Sequence, residues 1–82
     1  NITSSDEIIV YPIPAKDYLF IENNGDEIIS YSIYDINGKL LIKHSKTSDN
    51  RNSVNISEFK PGQYYIKIQT INSLTQKAFI KY

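Results

Sequence analysis

Few side chains in this sequence could carry out catalysis, and their spacing assembles no recognisable catalytic pattern. His44 is the only imidazole in the 82 residues, and there is no cysteine to serve as a thiol nucleophile or thiolate ligand. A hydrolase would need a nucleophile beside a base and an orienting acid, yet no serine lies in a glycine-flanked turn. The sequence therefore predicts that the protein is not an enzyme, with His44 an exposed strand residue.

Metal ions, cofactors and membranes are not indicated either. One histidine and scattered carboxylates lack the ligand spacing of a zinc site or a calcium loop, and no glycine-rich phosphate loop is present. The longest apolar runs, residues 8–10 and 40–42, are far shorter than the roughly 20 residues that cross a bilayer. We expect no cofactor, no metal site and no direct membrane insertion.

Charge is balanced overall but segregated along the chain. The net charge is zero, yet seven of the nine carboxylates lie at or before Asp35, and eight of the nine Lys and Arg residues follow it. Without a net positive charge to release counterions from phosphate, no nucleic acid is expected as a partner. The late lysines could form a basic edge, or strands of opposite charge could lie side by side and neutralise each other.

Seven tyrosines are a further candidate for binding, because exposed aromatic rings stack on sugar rings and bases. The alternation of side chains places Tyr18, Tyr34 and Tyr65 on outward faces. The chain has no tryptophan, and no strand carries a flat run of three aromatic residues. The simpler interpretation is that aromatic residues fit the pleated surface of strands.

Period-two alternation of apolar residues recurs along the chain, and helical periodicity does not, which predicts an all-β domain. The expected strands are residues 7–11, 18–22, 28–36, 39–45, a short one at 54–56, 64–69 and 74–81. About seven short strands separated by turns predict an immunoglobulin-like antiparallel β-sandwich, with a small barrel as the alternative.

Alternation also predicts which side chains face the core. The last strand leaves two registers open, one with Phe79 inward and one with Ala78 and Ile80 inward. The residues expected inward in the earlier strands are Leu19, Ile21, Ile29, Tyr31, Ile33, Tyr64, Ile66 and Ile68.

Three turn segments separate these strands, at residues 11–17, 35–39 and 60–64. Asn37-Gly38 between two alternating runs predicts a hairpin with a type I′ turn. Pro61-Gly62 predicts a type II turn, with Phe59 able to plug the end of the core. Residues 46–53 contain no apolar side chain and are expected to be a solvated, mobile loop.

The same three segments occur in the order and spacing of a family's motifs. The motif residues are Tyr11, Pro12, Pro14, Asp35, Gly38, Lys39, Pro61, Gly62 and Tyr64. With them, residues 10–82 resemble a type A carboxy-terminal sorting domain of the type IX secretion system, also called the Por secretion system. That family opens with Tyr-Pro-Asn-Pro, continues with Ile-Tyr-Asp-x-x-Gly-Lys, and closes with Leu/Phe-x-x-Gly-x-Tyr and a last strand ending in Lys.

One position departs from the family pattern. Ile13 stands where the family usually has Asn, whose side-chain oxygen could close the loop through a local hydrogen bond. Ile13 cannot accept such a bond, so the loop is expected to be looser or to be held by burial of Ile13.

The resemblance implies a signal that directs a cargo protein across the outer membrane. Residues 1–10 would be the end of a linker and the first strand, and residues 11–82 the sorting domain, a single β-sandwich that includes the strand 7–11. The implied partners are shuttle and translocon proteins of the type IX system and a sortase-like cysteine protease that cuts in the preceding linker. The cargo would pass through the periplasm and then be secreted or attached to the cell surface.

Recognition by this machinery is expected at the late hairpin. It would present Lys67, Lys77 and Lys81 together with an exposed sheet edge, so that docking combines strand addition with charge complementarity. The alternative function is a carbohydrate-binding or adhesive β-sandwich module of a secreted protein.

Overall fold

A computed structural model describes residues 8–25, 27–45, 51–71 and 73–82. The described residues form two antiparallel sheets, with strand orders β1-β2-β5 and β4-β3-β6-β7, which confirms the predicted all-β sandwich. They contain no helix of the length and hydropathy that would cross a membrane. The strands are β1 (Ile8–Tyr11), β2 (Tyr18–Asn23), β3 (Ile28–Tyr34), β4 (Leu40–Ser45), β5 (Arg51–Asn55), β6 (Gly62–Thr70) and β7 (Leu74–Lys81).

The core lies between the two sheets and is built from alternate residues of each strand. Leu19 and Ile21 of β2 are fully buried, and Tyr64, Ile66 and Ile68 of β6 are buried opposite them in the other sheet. The intervening side chains of both strands are more exposed. Since successive side chains of a strand point to opposite faces, the predicted inward sets of β2 and β6 are confirmed.

The register of β7 is now fixed. β7 follows β6 in a hairpin whose register pairs Tyr64 with Phe79, and Phe79 is only 1% exposed. Ala78 and Ile80 are exposed on the other face. The inward residue of the last strand is therefore Phe79.

β3 departs from the predicted alternation at its beginning. Ile28, Tyr31 and Ile33 are buried, whereas Ile29, which was expected inward, is 40% exposed. The pairing of β3 with β6 shifts its register between Ile28 and Ser30. An extra residue in one strand inverts the alternation that follows it, so the prediction for Ile29 was wrong.

Strand β5 includes residues 51–53, which were predicted to lie in a solvated loop. Arg51, Asn52 and Ser53 pair with β2, and only Val54 of this strand is buried. The ladder is made by backbone groups, so an edge strand tolerates polar side chains on its solvent face. The rest of the predicted mobile loop, residues 46–50, lies outside the described residues, as do residues 1–7 of the expected linker and first strand.

The assigned core can be tested with two leucines of opposite environment. Leu19 is fully buried in β2, and Leu74 is 63% exposed in β7. We expect Leu19→Ala to lower the free energy of unfolding by about 2–5 kcal/mol, through lost burial and the cavity left behind. Leu74→Ala should change it by less than about 0.5 kcal/mol. Urea denaturation measures both, and similar losses would contradict the assigned register.

Candidate functional site at the motif end of the sandwich

The three turn segments meet at one end of the sandwich. β3 ends where β6 begins, because the strands are antiparallel and Tyr34 pairs with Tyr65. Ala15 pairs with Lys81, which in turn pairs with Gly62 at the start of β6. We call this end of the molecule the motif end, and it comprises residues 11–17, 35–39 and 60–64.

Ala15 ties the first segment to the last strand. Its N–H donates to the carbonyl of Ile80 at 2.7 Å, and its carbonyl accepts from the N–H of Tyr82 at 2.9 Å. Ala15 is completely buried, so a larger side chain would have to displace core atoms. The loop between β1 and β2 therefore pairs with the opposite sheet.

The prolines and Ile13 lie on the outside of this loop. Pro12 and Pro14 are exposed, and the peptide bond before each of them is cis. Ile13 is 50% exposed. Of the two alternatives for Ile13, burial of its side chain was therefore wrong, and the backbone hydrogen bonds of Ala15 anchor the loop.

Tyr11 belongs to a cross-strand group on the outer face of the three-stranded sheet. Its hydroxyl donates to Oε2 of Glu22 at 2.7 Å, and its ring stacks on Phe20 with centroids 5.6 Å apart. Glu22 also lies 3.5 Å from Nε of Arg51 on β5. The contact joins an acid of the first half to a base of the second, as the neutralising arrangement predicted.

Asp35 organises the turn of the second segment. Its Oδ1 accepts the N–H groups of Asn37 and Lys39, both at 2.9 Å, and its carbonyl accepts the N–H of Gly38 at 3.0 Å. The turn is thus centred on Ile36 and Asn37, and Gly38 follows with φ +86°. This is a three-residue hairpin loop with a glycine bulge. The hairpin is confirmed, but the type I′ turn and the extension of β3 to Ile36 were wrong.

Tyr64 closes the third segment. Its hydroxyl donates to the carbonyl of Lys60, the arrangement called a tyrosine corner in immunoglobulin-like sandwiches. Its ring lies between Phe59 and Phe79, with centroid distances of 5.0 and 5.6 Å. Phe59 packs against the core, which confirms its predicted place at the end of the core.

The backbone at Pro61 and Gly62 differs from the predicted type II turn. Gly62 has φ +151° and already belongs to β6, whereas a type II turn requires φ near +80° at that position. The carbonyl of Lys60 accepts the Tyr64 hydroxyl instead. A side chain at Gly62 would meet no neighbour within 4 Å, so the backbone dihedral alone makes glycine favourable there.

The three lysines of the late hairpin do not share a surface. Lys67 lies on the outer sheet face with its ammonium 5.0 Å from the Tyr34 ring centroid. Lys77 is exposed and pairs with buried Ile66, so it points to the other face at the sheet edge. Lys81 is only 8% exposed. Their expected joint presentation was wrong.

A cavity of about 320 Å³ lies between the second and third segments. Asp35 and Lys39 line it from the β3–β4 turn, and Glu58, Lys60 and Tyr64 line it from the chain that leads into β6. Acidic and basic groups are mixed in this lining. The cavity therefore does not select a ligand by the sign of its charge.

His44 is exposed at the end of β4, as predicted, and stacks on Tyr31 with ring centroids 5.2 Å apart. Within residues 8–25, 27–45, 51–71 and 73–82, no group of three potential ligands is placed to hold a metal ion.

Sequence reasoning missed several residues that position the motif end. No local sequence pattern indicates that Ala15 pairs with β7, because the contact joins distant parts of the chain. The Glu22–Arg51 pair had a signal in the segregated charges, but the β2–β5 pairing that brings them together was not deduced. The stacking of Phe79 on Tyr64 follows once the open register of β7 is fixed.

Two packed antiparallel sheets and a tyrosine corner define the class of the protein, an immunoglobulin-like β-sandwich. The family described as "Secretion system C-terminal sorting domain" matches residues 9–82, and the chain belongs to this family. The predicted resemblance is thereby confirmed. No curated protein matches the chain.

Family membership defines the function. The domain is the C-terminal sorting signal for type IX secretion, which delivers proteins through the outer membrane to the cell surface or the exterior. It interacts with the type IX machinery, and its family is not a family of enzymes.

The turn at Asp35 offers a direct stability test. Asp35→Ala removes the acceptor of two backbone N–H groups, and we expect it to lower the free energy of unfolding by about 1–2 kcal/mol. Asp35→Asn retains a side-chain oxygen and should cost less than half as much. Urea denaturation compares the two, and equal losses would show that the carboxylate charge, not the hydrogen bonds, holds the turn.

The Tyr11 hydrogen bond predicts a loss of stability in alkali. The bond to Glu22, and secondarily burial, raises the pKa of Tyr11 above its usual value. The unfolded chain therefore ionises first, so the stabilisation is complete below about pH 10 and is lost as the pH rises through the folded pKa. Thermal unfolding between about pH 9 and pH 11 should show a shallower decline for Tyr11→Phe than for the wild type.

Tyr82→Phe is the control for this experiment, because the Tyr82 side chain is 64% exposed. It should retain the wild-type decline. Burial also raises the pKa of Tyr31, but that contribution is common to all three proteins. An unchanged decline in Tyr11→Phe would rule out the bond to Glu22 as its source.

Proposed function

We propose that the secretion machinery reads the folded domain through the free edge of β7. β7 is the outermost strand of the four-stranded sheet. Among the described residues, Ala15 is hydrogen-bonded to its far side near Ile80 and Tyr82, and we propose the backbone from Leu74 to Ala78 as the template for another strand. Exposed strand edges are the usual site of recognition by strand addition.

Charge at this edge favours an acidic partner strand. Lys77 is the exposed lysine of β7, whereas Lys81 is buried and Lys67 lies over Tyr34 on the outer face. Among the three predicted lysines, Lys77 is therefore the one proposed to contact the partner. A complementary charge at the rim of such an interface mainly raises the rate and specificity of association.

The motif residues are proposed to act by building this edge rather than by touching the partner. Asp35 and Gly38 form one chain reversal, and Tyr64 closes another. Tyr11 stacks on Phe20 and donates a hydrogen bond to Glu22 on the outer face of β2. The remaining recognition candidates, proposed to serve the same turns, are Pro12, Pro14, Lys39, Pro61 and Gly62.

Family membership supports the further steps of the proposed route. The cargo passes through the periplasm, where shuttle and translocon proteins bind the domain. A sortase-like cysteine protease then cuts in the linker before β1, and the cargo is released or attached to the surface. In this proposal residues 11–82 are the sorting domain, residues 1–10 contribute the end of the linker and the first strand, and the domain has no catalytic activity of its own.

The test fuses the chain to the carboxy end of a periplasmic reporter in a bacterium that has the type IX system. Lys77→Glu should reduce the exported fraction about threefold to tenfold, since reversing one exposed charge changes binding by roughly 1 kcal/mol. Lys43→Glu is the matched control, because Lys43 is exposed on β4 at the opposite edge of the sheet. Cell fractionation and reporter mass measure export and cleavage.

Both variants should unfold at the wild-type temperature, which separates recognition from folding. Normal export of Lys77→Glu, or an equal loss in Lys43→Glu, would contradict recognition at the β7 edge. Wild-type fusion retained intact in the periplasm would contradict the proposed route as a whole.

A further inference from the structure

A second surface lies on the outer face of the three-stranded sheet, away from β7. Three aromatic rings stack there in a row, from Tyr11 to Phe20 to Tyr18. Their centroids are 5.6 and 6.5 Å apart, and their planes differ by 28° and 23°. Tyr18 ends the row and is 50% exposed. The row braces one face of the Tyr18 ring and leaves much of the ring accessible.

A cavity of about 300 Å³ adjoins this terminal ring, lined by Tyr18, Asp17, Asn55 and Ser57. Tyr18 and Asn55 are cross-strand partners in β2 and β5. The carbonyl of Asp17 accepts the N–H of Ile56 at 2.8 Å, which fixes the backbone that carries the Asp17 carboxylate.

The side chain of Asn55 is oriented by its neighbour. Its Oδ1 accepts the N–H of Ser57 at 2.9 Å and the Ser57 hydroxyl at 2.7 Å. Because Oδ1 is engaged by Ser57, Nδ2 is the group of this side chain that remains to donate hydrogen bonds to a ligand. The lining thus supplies an aromatic ring, a carboxylate and a side-chain amide.

We propose that this cavity is a subsite for a neutral saccharide. A sugar ring offers an apolar C–H face to an aromatic ring and a rim of hydroxyl groups that both donate and accept hydrogen bonds. The C–H face lies on Tyr18, while sugar hydroxyls donate to the Asp17 carboxylate and accept from Nδ2 of Asn55.

The charge of the cavity lining disfavours two other classes of ligand that bind to aromatic side chains. Among the described residues that line the cavity, Asp17 is the charged one and none is basic. A nucleotide or an acidic sugar would place its negative charge near Asp17 without a cation to offset it. A neutral saccharide meets no such repulsion.

The stacked row limits the cost of binding. Phe20 backs Tyr18, and Tyr11 backs Phe20 while its hydroxyl is held by Glu22. A ring already fixed in place loses little freedom when a ligand stacks on it. One ring with two polar partners is a small site, so we expect a dissociation constant on the order of 1 mM.

The test is a titration of the ¹⁵N-labelled 82-residue chain, followed by NMR, with maltotriose, cellotriose and triacetylchitotriose. At least one trisaccharide should shift the backbone signals of Tyr18 and Ser57 and the side-chain amide of Asn55. Tyr18→Ala should weaken binding at least about tenfold, and Tyr18→Phe, which keeps the ring, should stay within about twofold of the wild type. Tyr82→Ala removes an exposed tyrosine elsewhere and should leave the titration unchanged.

The absence of saccharide-dependent shifts at concentrations of about 10 mM would overturn the proposal. A dissociation constant for Tyr18→Ala equal to that of the wild type would overturn it as well. The proposal is independent of recognition at β7, so Tyr18→Ala should be exported normally. Loss of export in that variant, with no saccharide response in the wild type, would assign the face to a protein partner instead.

Discussion

The pairing of Ala15 with the end of β7 is the contact on which the rest of the structure depends. It joins a loop of the three-stranded sheet to the edge of the four-stranded sheet through two backbone hydrogen bonds. The chain has no cysteine, so the two sheets are held by their apolar core and by contacts of this kind. The same pairing covers the last residues of β7 and sets where the free edge of that strand begins.

The motif residues are concentrated where the chain must reverse direction. The Asp35 carboxylate accepts hydrogen bonds from two backbone N–H groups that have no strand partner in the hairpin turn. The Tyr64 hydroxyl likewise donates a hydrogen bond to the carbonyl of Lys60. These are local solutions to the satisfaction of backbone polar groups. Each of these motif residues therefore secures the backbone geometry of the chain reversal in which it lies.

Alternation in the sequence predicted the inward residues of β2 and β6, but it left two registers open for β7, and only the pairing with β6 places Phe79 inward. It failed at Ile29, where the bulge depends on the pairing with β6 rather than on β3 itself. The turn at Asn37-Gly38 was predicted as a hairpin, but its type depends on the Asp35 carboxylate, which no dipeptide rule includes. The cavity beside Tyr18 requires the β2–β5 pairing, and no local pattern encodes it.

The contact at Ala15 also has a mechanical consequence. Tension applied to the chain ahead of β1 enters the three-stranded sheet, and the pairing of Ala15 with Lys81 passes part of it to the other sheet. Strands that share a load resist extension together, whereas a free terminal strand peels away one hydrogen bond at a time. Load that reaches Ala15 is therefore shared between the two sheets rather than carried by the three-stranded sheet alone.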